Sequence, residues 1–69
     1  MTANERAKLE KEKADAQYKL KDVTRILEGL IRDKANGAIN VDGPIGWRQN
    51  EIASLKKTIN DIDYKLARF

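Results

Sequence analysis

Six apolar residues in the second half of the chain, Ile52, Leu55, Ile59, Ile62, Leu66 and Phe69, recur at intervals of 3, 4, 3, 4 and 3. That alternation places all six along one stripe of an α-helix, because 3.6 residues make a turn. The first half answers with Ala16, Leu20, Val23, Leu27 and Leu30, spaced 4, 3, 4 and 3. Two seams of matching period predict two helices that bury their stripes against each other, as in a coiled coil. Folding the chain back on itself sets Leu30 opposite Ile52, Leu27 opposite Leu55, Val23 opposite Ile59, Leu20 opposite Ile62 and Ala16 opposite Leu66.

Punctuation residues set the expected limits. Thr2 followed by Glu5 reads as a capping box at the start of a first helix, and no proline interrupts the chain from there to Ala35. Asn36-Gly37 supplies a stop, since glycine accepts the left-handed backbone that ends helices. Asp42-Gly43 reads as a turn, and the alternation of Ile39 and Val41 admits a short extended stretch or tiny hairpin. Pro44 fits the first turn of a second helix. The expected fold class is therefore all-α, an antiparallel, coiled-coil-like two-helix hairpin forming a single domain over residues 1–69. Helix 1 covers about 3–35, the loop about 36–43 and helix 2 about 44–67.

A hairpin of 69 residues buries little surface, and small scaffolds of this size need a staple. Cysteine and histidine are both absent, which excludes a disulfide and leaves only carboxylates, in no metal-like cluster, as ligands. Association is the remaining staple. Helix 1 is the longer arm, so residues before about Lys13 should overhang helix 2 by roughly 15–20 Å at 1.5 Å per residue. It also carries apolar residues off its seam. Ile26 and Ile31 flank the seam, and Ala3, Ala7, Ala14 and Tyr18 gather near the opposite face. These six are the expected homodimer interface, giving a dimeric four-helix arrangement.

Chemistry finds little purchase. Ser54 is the only serine and lacks a suitably spaced base, and Asp61 and Asp63, two apart on a helix, point to different sides as solubilising charges. No phosphate-loop spacing accompanies the glycines. The expectation is a non-enzyme with no catalytic residue, no cofactor and no metal. The longest apolar stretches, Ile26-Leu27 and Leu30-Ile31, fall far short of a membrane span, and no secretory signal is expected.

Binding residues are easier to nominate. Lys11, Tyr18, Lys21, Arg25 and Arg32 share about a third of the circumference of helix 1. Ordinary pairing with Asp22 and Glu28 on a solvated face accounts for them; the functional alternative is a basic, aromatic surface for an acidic protein patch or for phosphates. Nucleic acid ranks lower, because acidic residues interrupt the face and the net charge is only +3. Gly29 costs about 1 kcal/mol relative to alanine inside a helix, and marks either close approach in a dimer or a soft point near the loop. Trp47 and Arg48 are residue types enriched at binding hot spots. The reading favoured for Trp47 is nonetheless that, with Ile39, Val41 and Ile45, it caps the open end of the core.

The segments RAKLEKEKADAQYKLKDVTRILEGLIRD (Arg6 to Asp33), NGAINVDGP (Asn36 to Pro44) and IASLKKTINDIDYKL (Ile52 to Leu66) together resemble the anti-quorum-sensing proteins of temperate phages, over essentially the whole length. The resemblance implies a short helical dimer that blocks a LuxR-type quorum-sensing regulator by covering its DNA-binding domain, and also inhibits the type IV pilus assembly ATPase. Its place would be the cytoplasm of the infected bacterium. Because DNA-binding domains are basic, contact there would fall to acidic or apolar positions. The loop and EIASLKKTINDIDYKL (Glu51 to Leu66) also resemble small phage head–tail joining proteins, which set two helices around a β-hairpin and would make the role structural.

Overall fold

The computed structural model describes residues 2–68. It contains two helices, α1 (Ala3–Ala35) and α2 (Asp42–Ala67), packed against each other as a hairpin. The molecule measures 52 × 14 × 13 Å. A helix of 33 residues is about 50 Å long, so α1 alone sets the length.

Thr2 begins α1 as expected, its hydroxyl accepting a hydrogen bond from the Glu5 N–H at 3.2 Å. At the other end, Gly37 adopts φ +97°. The Ala38 N–H then reaches the Asp33 carbonyl at 2.9 Å, and the Gly37 N–H reaches Lys34 at 3.1 Å. This is a Schellman closure, which satisfies carbonyls that the helix end would otherwise leave open.

The connection differs from expectation in two ways. Among the described residues no strand forms, so Ile39 and Val41 make no hairpin of their own. Asp42-Gly43 is not the turn either. Asn40 takes the left-handed conformation (φ 62°), one that asparagine tolerates better than most residues. Freed from turning, Asp42 and Gly43 become the first turn of α2, with Pro44 in that turn, where its missing N–H has no helical partner to lose. Asp42 sits at the positive end of its helix dipole and Lys34 at the negative end of α1; the two pair across the loop at 2.6 Å.

Seam positions lie inward. Ala16, Val23 and Ile62 are buried, at 6%, 6% and 4% exposure. Leu20, Leu27, Leu30, Ile52, Leu55, Ile59 and Leu66 are half-buried. Phe69, the last seam position, lies outside the described residues. The register, however, is displaced from the expected one. Lys13 pairs with Asp63 at 2.5 Å and Lys34 with Asp42; the lysines are 21 residues apart on α1 and the aspartates 21 apart on α2. With Ala16 opposite Leu66, Lys13 would instead face position 69, six residues beyond Asp63. A seam with a seven-residue repeat matches itself after a slip of about one heptad, close to this displacement, and the loop ends decide between the fits. Extending α2 back to Asp42 levels its start with the end of α1.

The slip also shortens the overhang. Leu9 is half-buried, and only Ala3 to Lys8 run fully exposed past α2, roughly 9 Å of helix.

Two glycine substitutions should move stability in opposite directions. Gly37→Ala should lose about 1 kcal/mol, because an L side chain is strained at positive φ. Gly46→Ala should gain up to about 1 kcal/mol, since its helical site has nothing within 4 Å of an added Cβ. Urea denaturation followed by circular dichroism reads both. Equal effects would contradict the Schellman closure.

Candidate interaction surfaces

With one stripe of each helix committed to the seam, three other surfaces remain: two flanks where the helices meet at their edges, and the backs facing away. The first flank contains a groove of about 600 Å³, with Val23 and Leu55 at its floor. Lys19, Asp22, Trp47, Arg48, Asn50, Glu51 and Ser54 complete its lining. Ile26, one turn beyond Asp22 on the same side of α1, continues the apolar character toward the loop and is 38% exposed.

Trp47 stands at this rim, 59% exposed. It does not cap the core, contrary to expectation, and neither does Ile39, which is 81% exposed. Val41 and Ile45 are the half-buried residues at the loop end. The physical reason is phase: at 100° per residue Trp47 stands roughly 100° from the seam line of α2, whereas Ile45 falls within about 60° of it, and Val41 is drawn in at the helix start. Arg48 stacks on the Trp47 ring, its guanidinium carbon 4.2 Å from the ring centroid, and donates to Glu51 at 2.8 Å. The Trp47–Arg48–Glu51 row is therefore held in one geometry, with the indole offered to solvent.

The second flank carries the Lys13–Asp63 pair. Ile31 lies five helical turns from Lys13, in line with it, and is 49% exposed. Ile26 and Ile31 thus occupy opposite edges of α1. Ala3, Ala7, Ala14 and Tyr18 are all exposed on its back, and the six residues nominated as one dimer interface span roughly 220° of the helix at 100° per residue. No flat partner covers such an arc, so the six do not form a single surface.

Lys21, Arg25 and Arg32 are exposed on the back of α1. The expected pairing with Asp22 and Glu28 is not seen; the ion pairs among the described residues are Arg6–Glu10, Lys13–Asp63, Lys34–Asp42 and Arg48–Glu51. Lys21, Thr24, Arg25 and Glu28 together line a shallow groove there. Asp63, expected to be a mere solubilising charge, instead bridges the helices. Sequence reasoning missed this. The signal was present, since Asp63 borders Ile62 on the seam, but it needed the correct register to be read.

Among the described residues, no group of three or more acidic side chains is arranged to hold a metal ion, and no helix is long and apolar enough to cross a membrane. The chain finds no match among protein families, curated proteins or solved structures.

The ion pair offers a direct check of register. Lys13→Glu should cost about 0.5–1 kcal/mol, as expected for a half-exposed bridge that becomes a repulsion. Adding Asp63→Lys should restore most of it. Failure of the double swap to rescue, measured by thermal denaturation, would favour the register in which Ala16 opposes Leu66.

Proposed function

We propose that this chain is a non-catalytic interaction module that pairs with a second copy and, as a dimer, binds and inhibits proteins of an infected bacterial host. The observation that carries the reading is an imbalance of burial. Among the described residues only Ala16, Val23 and Ile62 are buried, whereas Tyr18, Ile26, Ile31, Ile39, Trp47 and Tyr64 are exposed. A core of that size supplies at most a few kcal/mol, and large apolar side chains left in water gain by association.

Self-association is assigned to the first flank. Two hairpins laid flank to flank would make a four-helix arrangement in which Ile26 and Trp47 of each copy close the groove over Val23 and Leu55. One long side of the molecule, 52 Å by 13–14 Å, is of the same order as the ~800 Å² per partner of a standard stable interface. The Arg48 stack keeps the Trp47 ring ordered before contact, which lowers the entropy lost on binding.

The host target follows from the resemblance to phage anti-quorum-sensing proteins. A LuxR-type regulator would be inhibited by occlusion of its DNA-binding domain, and the pilus assembly ATPase would be a second target. Occlusion needs surface and no reacting group, which suits a chain without cysteine or histidine.

Two measurements test the proposal. Light scattering should give a dimer at micromolar concentration, with a melting temperature that rises with protein concentration; Ile26→Glu and Trp47→Ala should each weaken pairing at least about tenfold, the scale of a hot-spot loss. A stable monomer with a concentration-independent melting temperature would sink the dimer. Separately, the chain should release a LuxR-type regulator from operator DNA in a gel-shift assay, and persistence of that complex at saturating chain would remove the inhibitory role.

A further inference from the structure

The line of α1 diametrically opposite the seam carries Asn4, Lys11, Tyr18, Arg25 and Arg32, spaced seven residues apart. Ala7, Ala14, Lys21 and Glu28 run beside it on one side, and Lys8, Asp15, Asp22 and Gly29 on the other. α1 contains seven carboxylates, Glu5, Glu10, Glu12, Asp15, Asp22, Glu28 and Asp33, and none of them falls on that outermost line; Asp15 and Asp22 border it on one side and Glu28 on the other, at the same angular distance as Lys21. The four cations nearest the line, Lys11, Lys21, Arg25 and Arg32, are exposed and form none of the ion pairs found among the described residues.

Two further details set this row apart from a merely soluble surface. On α2 the exposed Tyr64 is covered by its own Arg68, 5.2 Å from the ring centroid, whereas Tyr18 is 76% exposed and takes part in neither of the cation–ring contacts among the described residues. Gly29 lies beside Arg25 and Arg32 on the same back. An added Cβ there would meet nothing within 4 Å, so the packing of the hairpin does not require glycine at this position, although a helix interior disfavours it.

We infer that the back of α1 docks an acidic helix of a partner protein, one that presents carboxylates at heptad spacing to Lys11, Lys21, Arg25 and Arg32, stacks on Tyr18 and approaches most closely at Gly29. Charge complementarity selects the sign of the occupant. The geometry selects its form. Lys11 to Arg32 is a straight row roughly 31 Å long at 1.5 Å per residue, and a helix crossing at a small angle repeats its side chains with the same seven-residue period. A duplex backbone curves away from such a row within a few phosphates. Ala7, Ala14 and Gly29 leave room for a second helix to lie close. The row faces away from both flanks, so this surface is independent of the one assigned to self-association.

The test uses the full chain and a synthetic 28-residue alanine-rich helix carrying glutamate pairs at heptad spacing, with fluorescence anisotropy at low salt. The wild-type chain should bind it, and Lys21→Glu/Arg25→Glu should weaken binding at least tenfold. Lys56→Glu/Lys57→Glu, the same change of charge placed on α2, should leave affinity within about twofold. Gly29→Leu should raise helicity and melting temperature yet weaken peptide binding at least threefold. Equal losses from the α1 and α2 charge reversals would reduce the effect to net charge and overturn the proposal. So would tighter binding of a duplex DNA of equal charge that is lost with the same α1 substitutions, or a Gly29→Leu variant that binds as well as wild type.

Discussion

Everything in this molecule depends on a single contact, the seam between α1 and α2, and on the fact that a two-helix hairpin has only one. In a bundle of three or four helices each helix is gripped from two sides. Here each is gripped from one, so the seam must fix both the fold and its register with no neighbour to correct an error. Leucine, isoleucine and valine at intervals of three and four cannot do the second task alone, because the pattern matches itself after a slip of one repeat. Register comes from the ends. The Schellman closure at Gly37, the left-handed Asn40 and the Lys34–Asp42 pair fix where α2 starts. Lys13 and Asp63, three heptads further along, stand in the same alignment.

That division of labour explains what could be read from the residues in advance. The all-helical class, the two-helix hairpin and the limits of α1 follow from periodicity, the Thr2 cap and Gly37, all of them local signals. The start of α2 did not follow, because Asp42-Gly43 satisfies the chemistry of a turn as well as that of a first helical turn. The choice falls to Asn40, whose left-handed backbone is tolerated but not demanded by asparagine. One such ambiguity propagates a long way. The path of the loop sets the register and with it the length of the overhang; Trp47 stays outside the core for a separate reason, its phase on α2. The individual site residues were legible as types, but which of them share a surface was not, since Ile26 and Ile31 differ by only five positions and yet stand on opposite edges.

A thin core would also tie folding to the proposed self-association. With three residues buried and twice as many large apolar side chains exposed among the described residues, pairing of two copies would add to a small folding free energy, and substitutions on the first flank would lower stability in a concentration-dependent way. The back of α1 is different. Its cations contribute little to the hairpin, because exposed charges in water are worth only tenths of a kcal/mol, so their removal should leave the fold alone.

This contrast gives α1 three distinct sides, each with its own composition. Ala16, Val23 and their seam neighbours are apolar and hold the hairpin. The edge with Ile26 joins the Trp47–Arg48–Glu51 row, where an ordered indole and an open groove suit a second apolar surface. The back has a central line of cations, with small residues and the carboxylates Asp15, Asp22 and Glu28 on either side. A helix selected only to be soluble would scatter acids and bases over its outward faces, as α2 does with Lys57 and Asp61 both exposed. On α1 the seven carboxylates are kept off the outermost line while a glycine is kept near it. Both choices work against the isolated hairpin, the first by concentrating like charge and the second by weakening the helix. Their common consequence is a straight, close-approach line of cations, bordered by Asp15, Asp22 and Glu28, and that consequence gains meaning when acidic groups of a partner lie along the line itself.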